Sequence, residues 1–218
     1  SSDKTKEIIE SFNFKSLSFN LTTNFGIIAK SRNFGIKKAV GKYILFLDSD
    51  DEWEKNKCET IFNLLSKNTF SYDLLGHSEY QINQSGEIKN ILLHGYLLKK
   101  PYLEHMLLLG NQFSTSATAI KTSFLKKNNL FFSEKKRLIG VEDFDFWLNV
   151  IKHKSNVYII KEVLGSYRVH SESTLSNLKN VFKKDYVVRI KNAKSLGEGF
   201  YKAEKDYLKV LYHLKTRN

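Results

Sequence analysis

The chain has 218 residues, 41% of them hydrophobic, with 35 Lys and Arg against 23 Asp and Glu for a formal net charge of +12. That length suits one sizeable domain; no run approaches the roughly 18 apolar residues needed to cross a bilayer, and the polar start SSDKTKEIIE lacks the apolar core of a signal peptide, so a cytoplasmic chain is expected. The single cysteine, Cys58, excludes an internal disulfide, and no Cys or His cluster has zinc-site spacing.

The basic excess is mostly lysine and is spread along the chain, which favours an anionic partner such as acidic lipid, a phosphorylated substrate or nucleic acid, or simply makes a solvated basic face. No RNA-recognition signature or zinc-finger spacing accompanies it, so nucleic acid is not an expected partner.

In chain order, Thr5 to Phe12 reads as a short helix capped by Ser2 or Asp3, and SLSFNL, residues 16–21, alternates like a half-buried strand. The stretch FGIIAKSRNFGIKKAVGKY places Ile28, Ser31, Gly35 and Ala39 on one helical stripe, with Gly41 as the stop. KYILFL is a continuous apolar strand, expected in the middle of a sheet covered on both faces. A helix with Ile61, Leu64 and Leu65 on its apolar side follows. YDLLGHSEYQI and EIKNILL flank NQSG as a hairpin. Past Pro101, YLEHMLLLGN is helical and STSATAI strand-like. VEDFDFWLNVIKH is apolar nearly all round beyond its acidic start, the pattern of a buried helix. NVYIIKEVLGSYRVH closes the sheet, and two basic helices joined across GEG follow from Leu178. Helices alternating with strands define an α/β fold. The expected organisation is one domain over 1–177 with a basic helical tail, 178–218, packed on it.

The stretch YILFLDSDDEW sends a buried strand straight into carboxylates. Asp48, Asp50 and Asp51 then stand at the carboxyl end of that strand, where open α/β sheets bind ligands. Carboxylates so spaced can share a divalent cation such as Mg²⁺ together with substrate phosphates. The alternative is a helix cap, with Asp50 or Asp51 opening the helix near Glu54. Glu142 and Asp143 carry the same ambiguity as first-turn acids of the later helix.

The segment NFGIIAKSRNFGIKKAVGKYILFLDSDDEW resembles the donor-binding segment of the family 2 glycosyltransferases, through Asn24, Gly26, the SRN triplet at 31–33, Gly35, Ala39, Gly41 and LDSDD. The resemblance implies a GT-A, Rossmann-like nucleotide-diphospho-sugar fold with a mixed sheet flanked by helices, and a transferase of the hexosyl type. It assigns Asp48 to the nucleotide ribose, Asp50 to Mn²⁺ or Mg²⁺ and Arg32 to the neighbourhood of the nucleobase. GVEDFDFWLNVI resembles the family's ED motif, which makes Asp143 the catalytic base, a role the chemistry demands because a sugar hydroxyl attacks only as a positioned carboxylate takes its proton. The helix dipole is expected to keep Asp143 anionic. SYRVHSEST resembles the segment in which a histidine, here His170, completes the metal site, with Arg168 towards the diphosphate. QFSTSATAI is expected along the acceptor side, and Trp53 and Trp147 as core or pocket wall.

The family's chain opens with a strand, a helix and a second strand ending in an acidic motif, of which SSDKT resembles the tail. The expectation is therefore a chain incomplete at its start. The implied reaction is inverting sugar transfer from a nucleotide-diphosphate donor, with UDP as the nucleotide, to a hydroxyl of a cell-surface glycan or lipid-linked acceptor. A catalytically incomplete binding module is the rival. The lysine-rich tail, with Val181, Val188, Phe200, Tyr207 and Leu211, either lies on anionic membrane or packs on the domain.

Overall fold

The computed structural model describes residues 4–12, 26–67, 71–170 and 178–216. The expected strand at 16–21, Asn24 and the caps Ser2 and Asp3 lie outside them. The described elements are helices α1 (Thr5–Ser11) and α2 (Ile28–Lys38), strands β1 (Tyr43–Leu45) and β2 (Glu52–Trp53), α3 (Lys57–Lys67), the hairpin β3 (Leu74–Ile82) and β4 (Ile88–Leu92), α4 (Tyr102–Leu109), β5 (Thr118–Lys121), α5 (Thr122–Lys127), α6 (Glu142–Lys152), β6 (Val157–Arg168), α7 (Leu178–Ala193) and α8 (Glu198–Thr216).

The sheet is mixed. Its order is β1-β5-β3-β6-β2, with β4 paired to β3; β3 and β6 run parallel, and the other pairs are antiparallel. Side chains alternate across it with the period of two that a pleat imposes. Leu74 and Ile120 face one core with Phe46, Phe113, Phe132, Phe144, Phe146 and Trp147, while Leu75 and Ala119 face a second with Ile61, Ile160 and Leu164. Helix α6 covers the first face and α3 the second, so β3 is buried along most of its length. Trp147 is fully buried and meets four phenylalanines at ring-centroid distances of 4.9 to 6.5 Å. It belongs to the core, one of the two places expected for it.

Two expectations shift. In α2 the buried residues are Ala29, Asn33 and Ile36, one or two positions on from the stripe read in the sequence; Ile28 is exposed, and space beside Gly35 is open. The small residues suggested close packing, but the chain rotates α2 so that Asn33 can bond Phe132 at both its backbone N–H and its C=O. KYILFL forms only a three-residue strand, half-buried, which among the described residues ends the sheet order rather than occupying its middle. The interior place goes to β3, whose alternation of Leu, Gly and His looked less apolar.

One glycine shapes the route to the site. A Cβ on Gly165 would stand 2.9 Å from the backbone O of Glu52, so glycine lets β2 come alongside β6. That pairing, Glu52 with Ser166 and Trp53 with Gly165, carries the acidic stretch after β1 against the end of β6.

The tail helices pack on the domain through α7. Val188 and Ala193 are completely buried in the first core, and Val181 and Phe200 lie against it. Arg189 donates to the backbone oxygens of Leu107 and Leu108 at the carboxyl end of α4, where a cation suits both the orphan carbonyls and the dipole. Tyr207 and Val210 face outward.

Candidate active site

The carboxylates after β1 are spoken for by side chains from distant parts of the chain. Both oxygens of Asp48 accept from Nη2 of Arg32, at 2.7 and 2.8 Å, and its backbone N–H donates to Oγ of Ser116 at 3.0 Å. Asp51 accepts from the Ser116 hydroxyl at 2.7 Å and from the Arg168 N–H at 3.0 Å. Helix α3 starts only at Lys57, so Asp50 and Asp51 do not cap it; Asp48 and Asp51 instead anchor the loop. Burial pushes the Asp51 carboxyl up to about 6, against the pull of those two hydrogen bonds.

Beneath the loop lies a charged group the sequence did not announce. Lys57 is fully buried, its ammonium 2.5 Å from the Ser116 carbonyl and 4.2 Å from the Trp53 ring centroid, and burial lowers it to about 7. The Trp53 indole N–H donates to the same carbonyl. Ser116 is thus a hub that pins the acidic loop from both its hydroxyl and its carbonyl. It falls within the QFSTSATAI stretch, and its hydroxyl meets both the Asp48 N–H and the Asp51 carboxylate. No local pattern around Ser116 or Lys57 signalled this, since the contacts span some 60 residues.

Arg32 also bonds Glu142 Oε1 at 3.1 Å, and Glu142 Oε2 accepts from the Gly140 N–H at 2.6 Å. One guanidinium therefore ties the loop after β1 to the start of α6. Burial works against its charge, but Asp48 and then Glu142 outweigh that and hold its pKa above the ordinary value. Next to Glu142, Asp143 is half-buried, accepting from Asn111 Nδ2 at 2.8 Å and from the Phe144 N–H at 2.7 Å. Burial, then the neighbouring Glu142, push it up to about 6, with Arg32, the Phe144 N–H and Asn111 pulling the other way. The helix start alone suggested an ordinary anion; desolvation outweighs the dipole. At neutral pH a carboxylate so placed is still mostly ionised and able to accept a proton.

His170 Nε2 stands 3.1 Å from Asp50 Oδ2. Arg168 reaches the backbone oxygens of Asp50, Asn83 and Gln84 and pairs with Glu52, so in this arrangement it braces the loop against the β3–β4 turn. Beside His170 opens a cavity of about 580 Å³ lined by Asn83, Gln84, Ser85 and Val169. Among the described residues no three His, Cys, Asp or Glu side chains converge as a cation cage. Two donors 3.1 Å apart nevertheless match adjacent corners of an octahedron with bonds of about 2.1 Å, and Mg²⁺-like ions take one or two protein ligands with the remainder from phosphates and water. The donor set fits such an ion.

Residues 1–128 match the family model described as glycosyl transferase family 2. The chain belongs to that family. Among curated relatives it is 24% identical over 160 residues to the putative teichuronic acid biosynthesis glycosyltransferase TuaG of Bacillus subtilis, which covers 73% of this chain and 60% of the relative. It is 30% identical over 151 residues to WfaP of Escherichia coli, a UDP-Glc:alpha-D-GlcNAc-diphosphoundecaprenol beta-1,3-glucosyltransferase, covering 68% of this chain and 54% of the relative. The fold is shared with TarS 1-349 of S. aureus in complex with UDP-GlcNAc, at a TM-score of 0.67 and 19% identity, over 99% of this chain and 62% of that one. The sheet is accordingly a GT-A sheet, as the resemblance implied. The chain spans about 60% of the length of relatives such as TuaG.

Proposed function

We propose that the chain transfers a sugar from a nucleotide-diphosphate donor, with UDP as the nucleotide, to a hydroxyl of a cell-surface glycan or lipid-linked acceptor, inverting the anomeric centre. The observation that carries this reading is Arg32, whose bonds to Asp48 and Glu142 bring the donor-side acids and Asp143 to one site. Asp48, its carboxylate held in place by Arg32, binds the ribose. Asp50 and His170 hold the divalent cation, Mn²⁺ or Mg²⁺; when bound, it stabilises negative charge on the departing diphosphate. Asp143 takes the proton of the attacking hydroxyl, with Asn111 and the Phe144 N–H each holding one of its oxygens in place. Inversion follows from a single displacement by that hydroxyl on the face opposite the diphosphate.

The names of the relatives, one tied to teichuronic acid and one to a diphosphoundecaprenol acceptor, support an envelope glycan as acceptor. No described helix is long and apolar enough to cross a membrane. We place the chain at the cytoplasmic membrane surface through its lysines rather than through the apolar side of α7, which the core occupies. Release of UDP from UDP-glucose and UDP-N-acetylglucosamine in the presence of envelope membranes tests the reaction. Asp143→Asn should lose transfer while keeping UDP binding; turnover retained by the variant would remove Asp143 from the mechanism.

A further inference from the structure

Arg32, expected near the nucleobase, makes its own bonds to two carboxylates. Nη2 is spent on both oxygens of Asp48, Nη1 on Glu142, and Nε is buried with no partner among the described residues. The guanidinium carbon lies 5.2 Å from the Phe132 ring centroid, so its flat face is packed as well. Its side chain is 10% exposed and that of Glu142 9%. A planar fork gripping two carboxylates in such a place is a fixed charge. Through Glu142, which immediately precedes Asp143, the guanidinium reaches the first turn of α6. We propose that Arg32 is a positioning residue that keeps Asp143 ionised and in place, by neutralising Glu142 and tying the first turn of α6 to the loop after β1.

The argument is one of charge balance. Two adjacent carboxylates at a partly dehydrated helix start oppose each other's ionisation. The helix dipole and two hydrogen bonds help Asp143, but they do nothing to cancel Glu142. Arg32 does, and at 3.1 Å it does so directly. The charged and titratable groups acting on Asp143 are Glu142 from its own helix and Arg32 from α2, with the Tyr167 phenol of β6 also feeling its charge. Asn111, following α4, contributes a neutral amide. Of these only Arg32 is cationic. Asp48 completes the arrangement: a ligand that draws Arg32 towards or away from Asp48 alters the support given to Glu142, so the donor side and the base are electrostatically linked through one side chain.

This inference rests on the reading of Asp143 as the base, but its test does not depend on turnover. In the full 218-residue chain labelled with ¹³C at aspartate carboxyls, the Asp143 resonance, assigned with Asp143→Asn, is followed against pH for the parent, Arg32→Met and Glu142→Gln. Arg32→Met should raise the Asp143 midpoint by about one pH unit or more, and Glu142→Gln should lower it. Opposite displacements are what a purely structural role cannot give. A midpoint unmoved in a folded Arg32→Met protein overturns the proposal. Should that variant fail to fold, an unmoved or raised midpoint in Glu142→Gln overturns it equally. Neither outcome bears on whether Asp143→Asn abolishes transfer, so the two readings fail separately.

Discussion

Replacing Asp143 by asparagine removes a carboxylate that the fold holds in unfavourable surroundings, so the substitution proposed to destroy activity should also stabilise the protein near neutral pH. The carboxyl rises from an ordinary 3.8 to about 6. A raised folded value means that the group's contribution to stability is complete below the unfolded value and is lost as pH climbs through the folded one. Across the whole window this amounts to about 3 kcal/mol at about 1.4 kcal/mol per pH unit, and partial contact with solvent halves it. The asparagine amide cannot satisfy both Asn111 and the Phe144 N–H as the carboxylate does, which adds a penalty of about 1 kcal/mol, but that penalty does not depend on pH. The decisive quantity is therefore the change with pH: relative to the parent, Asp143→Asn should gain about 1 kcal/mol between about pH 5 and about pH 7.5. Urea unfolding of both proteins at the two pH values measures it. A difference that is constant, or that grows towards acid, would refute the placement of Asp143 in a desolvated site beside Glu142.

Three further outcomes are expected. Ser116→Ala removes the hydroxyl that holds both the Asp48 N–H and the Asp51 carboxylate; it should cost about 1–3 kcal/mol by urea unfolding and weaken UDP binding in the presence of Mn²⁺ by calorimetry, and unchanged values would dismiss the hub. His170→Ala and Asp50→Ala should each lower Mn²⁺-dependent UDP affinity by about tenfold or more, whereas metal-independent binding should be untouched; equal affinity with and without Mn²⁺ in the parent would contradict the ligand assignment. Trp147→Ala, emptying the centre of the aromatic cluster, should cost about 3–5 kcal/mol, read as a lowered urea midpoint, and a loss under about 1 kcal/mol would mean the cluster is not the core.

Periodicity carried the helices and the hairpin well, because α6 and β3–β4 owe their form to short-range patterns: eight of the residues of α6 are buried, as its nearly all-apolar face implied. It failed where position depends on partners far along the chain. The rank of β1 in the sheet depends on β3 and β5, more than twenty residues away, and α2 turns on its axis to satisfy Asn33. β2 has only two residues, too few for any alternation to show. At the site, a local motif marked Asp48, Asp50, Asp143 and His170, and the structure brings Asp50 to His170 and links Asp48 to the helix of Asp143. What the motif could not show is the supporting apparatus. Ser116, Lys57, Asn111 and the grip of Arg32 on Glu142 are made by contacts between residues 32 to 110 positions apart, and a lysine at the start of an amphipathic helix looks the same in sequence whether it is solvated or sealed beneath a loop.

The central claim is that Asp50 and His170 form the protein's share of a cation site serving a nucleotide diphosphate. Anomalous diffraction at the manganese edge, from crystals of this chain grown with Mn²⁺ and UDP, addresses it directly. The account predicts a single strong peak within coordination distance of Asp50 Oδ2 and His170 Nε2, with the diphosphate on its open side. UDP bound with the manganese peak at other residues, or with no peak at all, would contradict it.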